Sequence, residues 1–308
     1  MKIGVIGSGA IGLYYGARLH KAGGDVRFLL RSDFEAVVKR GISVKAADGD
    51  FVIEDPKVYR SAEGIGVCDL AIVAIKATAN ELMPDLLKPL VGEGTAILTL
   101  QNGLGNDSFL ADAFPGTEIF GGLCFVCVNR VGPGTVENYL LGSMGLGRLG
   151  GVANDRLKEV ERWLKEAGAN PRVTDDLLEM QWRKLVWNVP FNGLAIAAGG
   201  VTTDVILDTP ELLEDAKALM REIIAAAAAY GKVIEPSFVD KQLAVTRPMG
   251  AYRPSSLIDY LEGRPVEVEA IWGEPLRRGE EKGVEMKRLR RLYSEIQRRV
   301  SGDGGLGG

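Results

Sequence analysis

Histidine is nearly absent from this chain: His20 stands alone among 308 residues. A hydride-transfer enzyme built on a His–Asp relay would have only His20 to draw on. That residue falls in a helix-like run beside Lys21, where a surface position is expected. Cysteine is scarce too, at Cys68, Cys124 and Cys127. So few thiols, odd in number, suit a reducing compartment rather than a disulfide framework. Cys124 and Cys127 form a Cys-x-x-Cys, but within a strand-like run at 120–128. Residues three apart on a strand point to opposite faces, which argues against a redox dithiol or a metal pair. The sequence has no second cysteine pair or histidine cluster to complete a zinc site. The net charge of −4 gives no electrostatic case for nucleic acid or acidic lipid, and leaves a small anionic ligand open. Uninterrupted apolar runs of membrane length are also missing. The stretch 185–207 is broken by Asn188, Pro190, Asn192, Gly199, Gly200 and Asp204. The first apolar stretch lacks a charged leader and a cleavage site, so a cytoplasmic location is expected. No solenoid-type repeat is visible. The glycine-rich end, 301–308, reads as a frayed tail.

What is present is an ordinary globular composition, 46% apolar and 25% charged, long enough for two domains. Its most informative part is the N-terminus. The apolar run Ile3-Gly4-Val5-Ile6 leads into Gly7-Ser8-Gly9-Ala10-Ile11-Gly12, then a helical run and a second apolar strand ending at Leu30-Arg31-Ser32. In a strand–turn–helix of this kind Gly7 permits the tight turn. Gly9 lets the backbone approach a pyrophosphate, and Gly12 lets the helix pack on the strand. The pyrophosphate would sit on the free N–H groups of the helix N-terminus. NAD enzymes usually carry an acidic residue at the end of the second strand. Here that position holds Arg31, and Asp25 lies at the opposite end. Arg31 is either a ligand for an adenosine 2′-phosphate or an ordinary solvated arginine. The first reading makes the cofactor NADP.

Apolar strands read at 2–6, 26–30, 70–75 and 96–100, with helical runs at 13–22, 81–90 and 106–113 between them. The alternation predicts a parallel, doubly wound α/β sheet of Rossmann type. Residues 117–149 read as short β pieces, broken at Gly132-Pro133-Gly134 and at Gly142, suited to antiparallel strands at the sheet edge. A helix is expected at 155–166 and a returning strand at 171–174. Beyond about residue 175 the pattern is helical: 176–194, 210–230, 236–246, a segment from Ser255, and 267–299. The alanine run 225–229 suits a buried helix. The domains are thus expected at 1–173, for the dinucleotide, and 174–308, all helical. Substrate is expected between the carboxyl ends of the strands and the helical domain.

Lys184, Asn188 and Asn192 recur at i, i+4 and i+8, which puts them on one helical face. Their neighbours Trp182, Leu185, Trp187, Val189 and Phe191 are large and apolar. Asparagines are poor helix formers, so the stripe is expected to face a polar cavity rather than solvent. Partial burial would lower the lysine's pKa and suit it to proton transfer. Lacking a credible histidine, the chain offers Lys184 as the general acid for a carbonyl reduction. Lys76 follows the third strand, either as a cofactor contact or as a surface lysine. Asn102, in Gln101-Asn102-Gly103, stands at the same edge but within a turn signal. Ser255 could simply cap a helix, and pattern alone does not single out Ser256 or Glu267.

Taken together these residues resemble the ketopantoate reductase (2-dehydropantoate 2-reductase) family over nearly the whole chain. The match runs in order through the glycine motif, Leu30-Arg31, Lys76, Gln101-Asn102-Gly103 and Pro133-Gly134. It continues through Trp182-Arg183-Lys184 with Asn188 and Asn192, Ser255-Ser256 with Asp259, and Gly263-Arg264-Pro265 leading to Glu267. The resemblance implies NADPH-dependent reduction of 2-dehydropantoate to pantoate, a step towards pantothenate and coenzyme A. It makes Lys184 the proton donor and Glu267 the group that holds lysine and substrate in register. It assigns substrate contacts to Asn102, Asn188, Asn192 and Ser256. Cofactor contacts fall to Gly7, Ser8, Gly9, Ala10, Ile11, Gly12, Arg31, Lys76 and Asn102. The expected partner is a small 2-oxo acid, with neither nucleic acid nor membrane; exposed apolar positions on the terminal helices would permit a homodimer. Leu257, Trp272 and Gly193 stand where the family favours methionine, asparagine and proline. That leaves another branched 2-oxo acid as an alternative substrate. A catalytically silent NADP-sensing protein would be expected to lack Lys184 and Glu267, and both are present.

Overall fold

The computed structural model describes residues 1–302. The glycine-rich tail therefore lies almost wholly outside the described residues. The chain divides into two compact units. Unit 1 holds Met1–Gln101 and Asn106–Leu177; unit 2 holds Asn102–Gly105 and the chain from Leu178 onward.

Unit 1 is a ten-stranded sheet. Its strands are β1 (Lys2–Ile6), β2 (Asp25–Leu29), β3 (Ile42–Ala46), β4 (Phe51–Ile53), β5 (Lys57–Tyr59), β6 (Leu70–Val73), β7 (Ala96–Thr99), β8 (Glu118–Gly132), β9 (Thr135–Arg148) and β10 (Pro171–Thr174). They lie in the order β4-β3-β9-β8-β7-β6-β1-β2-β5, with β10 on β9. From β5 through β2, β1, β6 and β7 to β8 every pairing is parallel. Successive residues feed two cores. Ile3, Val5, Val26, Phe28, Ile72 and Leu98 face one; Ile6, Leu29, Ala71, Val73 and Ile97 face the other. Burial on both faces is why these strands read as continuous apolar runs. The helices α1 (Ala10–Lys21), α2 (Phe34–Arg40), α3 (Ala62–Ile65), α4 (Met83–Leu87), α5 (Asn106–Ala113) and α6 (Asp155–Glu166) complete the unit. The chain is thus the α/β, doubly wound fold that the alternation implied.

Four local expectations are corrected. Residues 118–148 are not short edge strands. They form a long antiparallel hairpin set between β7 and β3, and the strands with a single neighbour are β4, β5 and β10. Gly142, at φ +62°, does not end β9; it lies where the pairing register shifts. A Cβ there would lie 1.8 Å from the Phe125 carbonyl oxygen, so only glycine lets the two strands stay paired. Second, residues 42–59, where no strand was expected, add β3, β4 and β5 to the sheet. Third, the helix expected at 81–90 is a 3₁₀ stretch (Ala77–Leu82) followed by the single turn of α4. Fourth, His20 is half-buried rather than on the surface. Burial pushes its imidazole pKa down, and Lys57 adds to that.

Unit 2 is helical: α7 (Leu177–Ala197), α8 (Thr203–Asp208), α9 (Pro210–Ala229), α10 (Phe238–Thr246), α11 (Ser255–Leu261), α12 (Glu274–Glu281) and α13 (Lys287–Val300). One core joins them, with Trp182, Val189, Phe191, Ile223, Trp272 and Leu289 fully buried. The helix expected at 267–299 is broken. A π-helical turn over Glu269–Gly273 precedes α12, and Gly283 at φ +74° separates α12 from α13. Of the alanine run 225–229, only Ala226 and Ala227 are buried. Among the described residues, no helix is long and apolar enough to cross a membrane, and no group of three or more His, Cys, Asp or Glu is placed to hold a metal ion.

Candidate active site

In unit 1 the glycine turn joins β1 to α1 at the carboxyl edge of the sheet. Gly7 has φ +99°, and a Cβ on it would lie 2.2 Å from the Ile75 backbone nitrogen. A Cβ on Gly12 would lie 2.0 Å from the Gly7 carbonyl oxygen. These two glycines are required by the turn and by the packing of α1 upon it. Gly9 is different, with nothing within 4 Å of where its Cβ would stand. Open space before this backbone, with Ala10 and Ile11 opening α1 and no side chain capping it, fits an incoming pyrophosphate. The Ser8 hydroxyl donates to the Leu29 carbonyl at 2.8 Å, tying the turn to the end of β2. Just beyond stands Arg31, exposed and without a side-chain partner among the described residues. Lys76 is half-buried where the 3₁₀ stretch begins, after β6.

At the ends of β6 and β7 the chain builds a polar network that its sequence did not reveal. The Thr99 hydroxyl donates to Gln101 Oε1 at 3.0 Å, Gln101 Nε2 to Asn80 Oδ1 at 2.7 Å, and Asn80 Nδ2 to Asn106 Oδ1 at 2.8 Å. Adjacent parallel strands end side by side and bring these residues together. Asp33 was also missed. It is buried and accepts from Arg130, Gly134 and Ser32. Burial pushes its carboxyl pKa up, but the Gly134 N–H and the Arg130 guanidinium more than offset this and hold it below the ordinary range.

In unit 2, α7 presents the lysine–asparagine stripe. Half-buried Lys184 donates from Nζ to Asn102 Oδ1 at 2.8 Å. Asn102 belongs to unit 2 because its segment docks there. Leu104 N–H donates to the Ala270 carbonyl, and Gly103, at φ +87°, lies so close that a Cβ would stand 2.2 Å from that same oxygen. One turn on, Asn188 is almost buried at 9% exposure. A further turn on, Asn192 is engaged on both sides of its amide. Its Nδ2 donates to the Asn188 carbonyl at 3.1 Å and its Oδ1 accepts the Ser256 N–H at 2.9 Å. The stripe therefore reaches Asn102 at one end and caps a neighbouring helix at the other. Ser255 makes no capping bond; that task falls to Asn192. Ser256 and Glu267 are both buried, on α11 and just before the π-helical turn. The three departures from the family pattern lie in the core. Leu257 and Trp272 are fully buried, and a Cβ on Gly193 would lie 2.7 Å from Trp272 Nε1.

The family model described as ketopantoate reductase PanE/ApbA matches residues 3–151, and the model of that family's C-terminal part matches residues 176–300. A 2-dehydropantoate 2-reductase from a Nostoc species is 41% identical over 96% of this chain and 94% of its own. A crystal structure of 2-dehydropantoate 2-reductase from Geobacter metallireducens superposes with a TM-score of 0.94 at 42% identity, covering 97% of this chain and 99% of that one. The structure of the Methylococcus capsulatus enzyme of the same name gives 0.92 at 34% identity, with both chains fully covered.

Proposed function

This chain belongs to the ketopantoate reductase family, and from that premise we propose that it reduces 2-dehydropantoate to pantoate with NADPH. The observation that carries the reading is Lys184 on α7, its Nζ held 2.8 Å from Asn102 Oδ1. Bound at the Gly7–Gly12 turn, the cofactor supplies the hydride for the keto carbon. The residues present fit it. Gly9 leaves the backbone open, α1 offers uncapped N–H groups, and Arg31 offers an unspent guanidinium for the 2′-phosphate. Ser8, Ala10 and Ile11 shape the turn, and Lys76 stands at the end of the adjoining strand.

Hydride addition leaves negative charge on the carbonyl oxygen. Lys184 delivers a proton there, so the alkoxide never has to persist in a water-poor site. Asn102 fixes the direction of the ammonium, and Glu267, a carboxylate kept from water, holds lysine and substrate in register. Asn188 and Ser256 offer amide and hydroxyl groups for the substrate's carboxylate and hydroxyl. Asn192 contributes by setting Ser256 through the start of α11.

The test follows the loss of reduced-nicotinamide absorbance with 2-dehydropantoate, using NADPH and NADH in parallel. Turnover that prefers NADPH supports the reading. Tight NADPH binding without turnover on this substrate, but with turnover on another branched 2-oxo acid, overturns the substrate assignment.

A further inference from the structure

Asp33 occupies the position before α2 where aspartate ordinarily caps a helix, yet its side chain makes no capping bond. Asp33 is 3% exposed, and its carboxylate turns instead to the hairpin of β8 and β9. Arg130 on β8 donates to it twice, from Nε at 3.0 Å and from Nη2. The Gly134 N–H, in the tight turn that links the strands, donates at 2.8 Å. Ser32 adds its hydroxyl at 2.9 Å. Gly134 is seated closely: at φ +67°, a Cβ on it would meet Val37 Cγ2 of α2 at 2.6 Å. On the other side, Leu30 N–H donates to the Tyr59 carbonyl of β5, and the Arg60 guanidinium lies 4.1 Å from the Phe34 ring centroid. The short loop that carries Arg31 is thus fastened at both ends, with Arg31 itself exposed at its crest.

We propose that Asp33 is a positioning residue for cofactor selection. Anchored by Arg130 and the Pro133–Gly134 turn, it sets the loop so that Arg31 meets the adenosine 2′-phosphate. The inference rests on the NADPH reading above. It also gives the Pro133–Gly134 turn a function beyond closing the hairpin. A guanidinium on an unfastened loop would have to be ordered at each binding event, and that cost would fall on the phosphorylated cofactor alone.

The experiment measures KM and kcat with NADPH and NADH, together with inhibition by adenosine 2′,5′-bisphosphate and by AMP. It compares the wild type, Arg31→Ala, Asp33→Asn and Arg130→Lys. Asp33→Asn should raise KM for NADPH and weaken 2′,5′-bisphosphate inhibition by about tenfold, with kcat, KM for NADH and AMP inhibition within about twofold. Arg130→Lys keeps the charge but loses the bidentate grip and should fall between; it carries the test if Asp33→Asn does not fold. A parallel loss of NADPH and NADH binding, or no change in either, overturns the inference. Should Arg31→Ala itself leave the NADPH preference intact, the NADPH reading fails instead.

Discussion

Lys184 shows what a single residue can be asked to do. Its ammonium is fixed by Asn102 rather than left to solvent. Positioned proton transfer contributes about 10²–10⁴ in rate, so Lys184→Ala should lower kcat by about that factor, while NADPH affinity read by cofactor fluorescence stays unchanged. An equal loss of affinity would mean that Lys184 binds cofactor rather than moves a proton. Gly193 and Trp272 illustrate a different lesson. In sequence they are two unrelated departures from the family pattern; in the structure they are one. Trp272 donates from Nε1 to the Val189 carbonyl at 3.0 Å, and a Cβ at 193 would stand 2.7 Å from that nitrogen and 2.6 Å from Leu292 Cδ2. Gly193→Ala should therefore overpack the core and cost about 1–3 kcal/mol in urea unfolding, despite a higher helix propensity. A stabilised variant would show that the indole and Leu292 can move aside.

At the scale of elements, α7 was legible because its polar residues fall on one face of an otherwise apolar helix. The purpose of each was not. Spacing alone cannot tell which of the two asparagines reaches across to the start of α11. Asn192→Ala leaves the buried Ser256 N–H without an acceptor, and should cost about 1–3 kcal/mol by chemical denaturation. The edge pair of β2 and β5 gives a pH prediction. Lys57 and then Arg27 hold the Asp25 carboxyl down to about 2, from an ordinary value of 3.8. A depressed carboxylate stabilises the fold above its unfolded pKa and loses that contribution as pH falls through the folded value, here between about pH 4 and about pH 2. Asp25→Asn should melt below the wild type at neutral pH, and the gap should close by about pH 2 in thermal melts. A gap independent of pH would mean that packing, not charge, holds this edge.

At the scale of the whole molecule, the chain enters the helical unit briefly at Asn102–Gly105 and returns for good after Leu177. A cofactor that binds only the folded state stabilises by about 2.7 kcal/mol at a hundredfold excess over Kd. NADPH should accordingly raise the melting temperature in a concentration-dependent manner, more than NADH does at the same concentration. Equal shifts would count against Arg31 as the discriminating group.

The doubly wound sheet, the helical half and the glycine turn followed from sequence alone. The physical reason is that each is written locally: in apolar runs of strand length, in a period near 3.6, and in glycines whose spacing matches a turn. Tertiary structure decided what depends on distant partners. It placed the β8–β9 hairpin inside the sheet. It joined Asn80, Thr99, Gln101 and Asn106, fastened Asp33 to Arg130 across 97 positions, and brought Asn102 to Lys184 across 82. Hydrogen bonds between residues so far apart leave no periodic trace in the chain, because the geometry that makes them exists only once the strands and helices have packed.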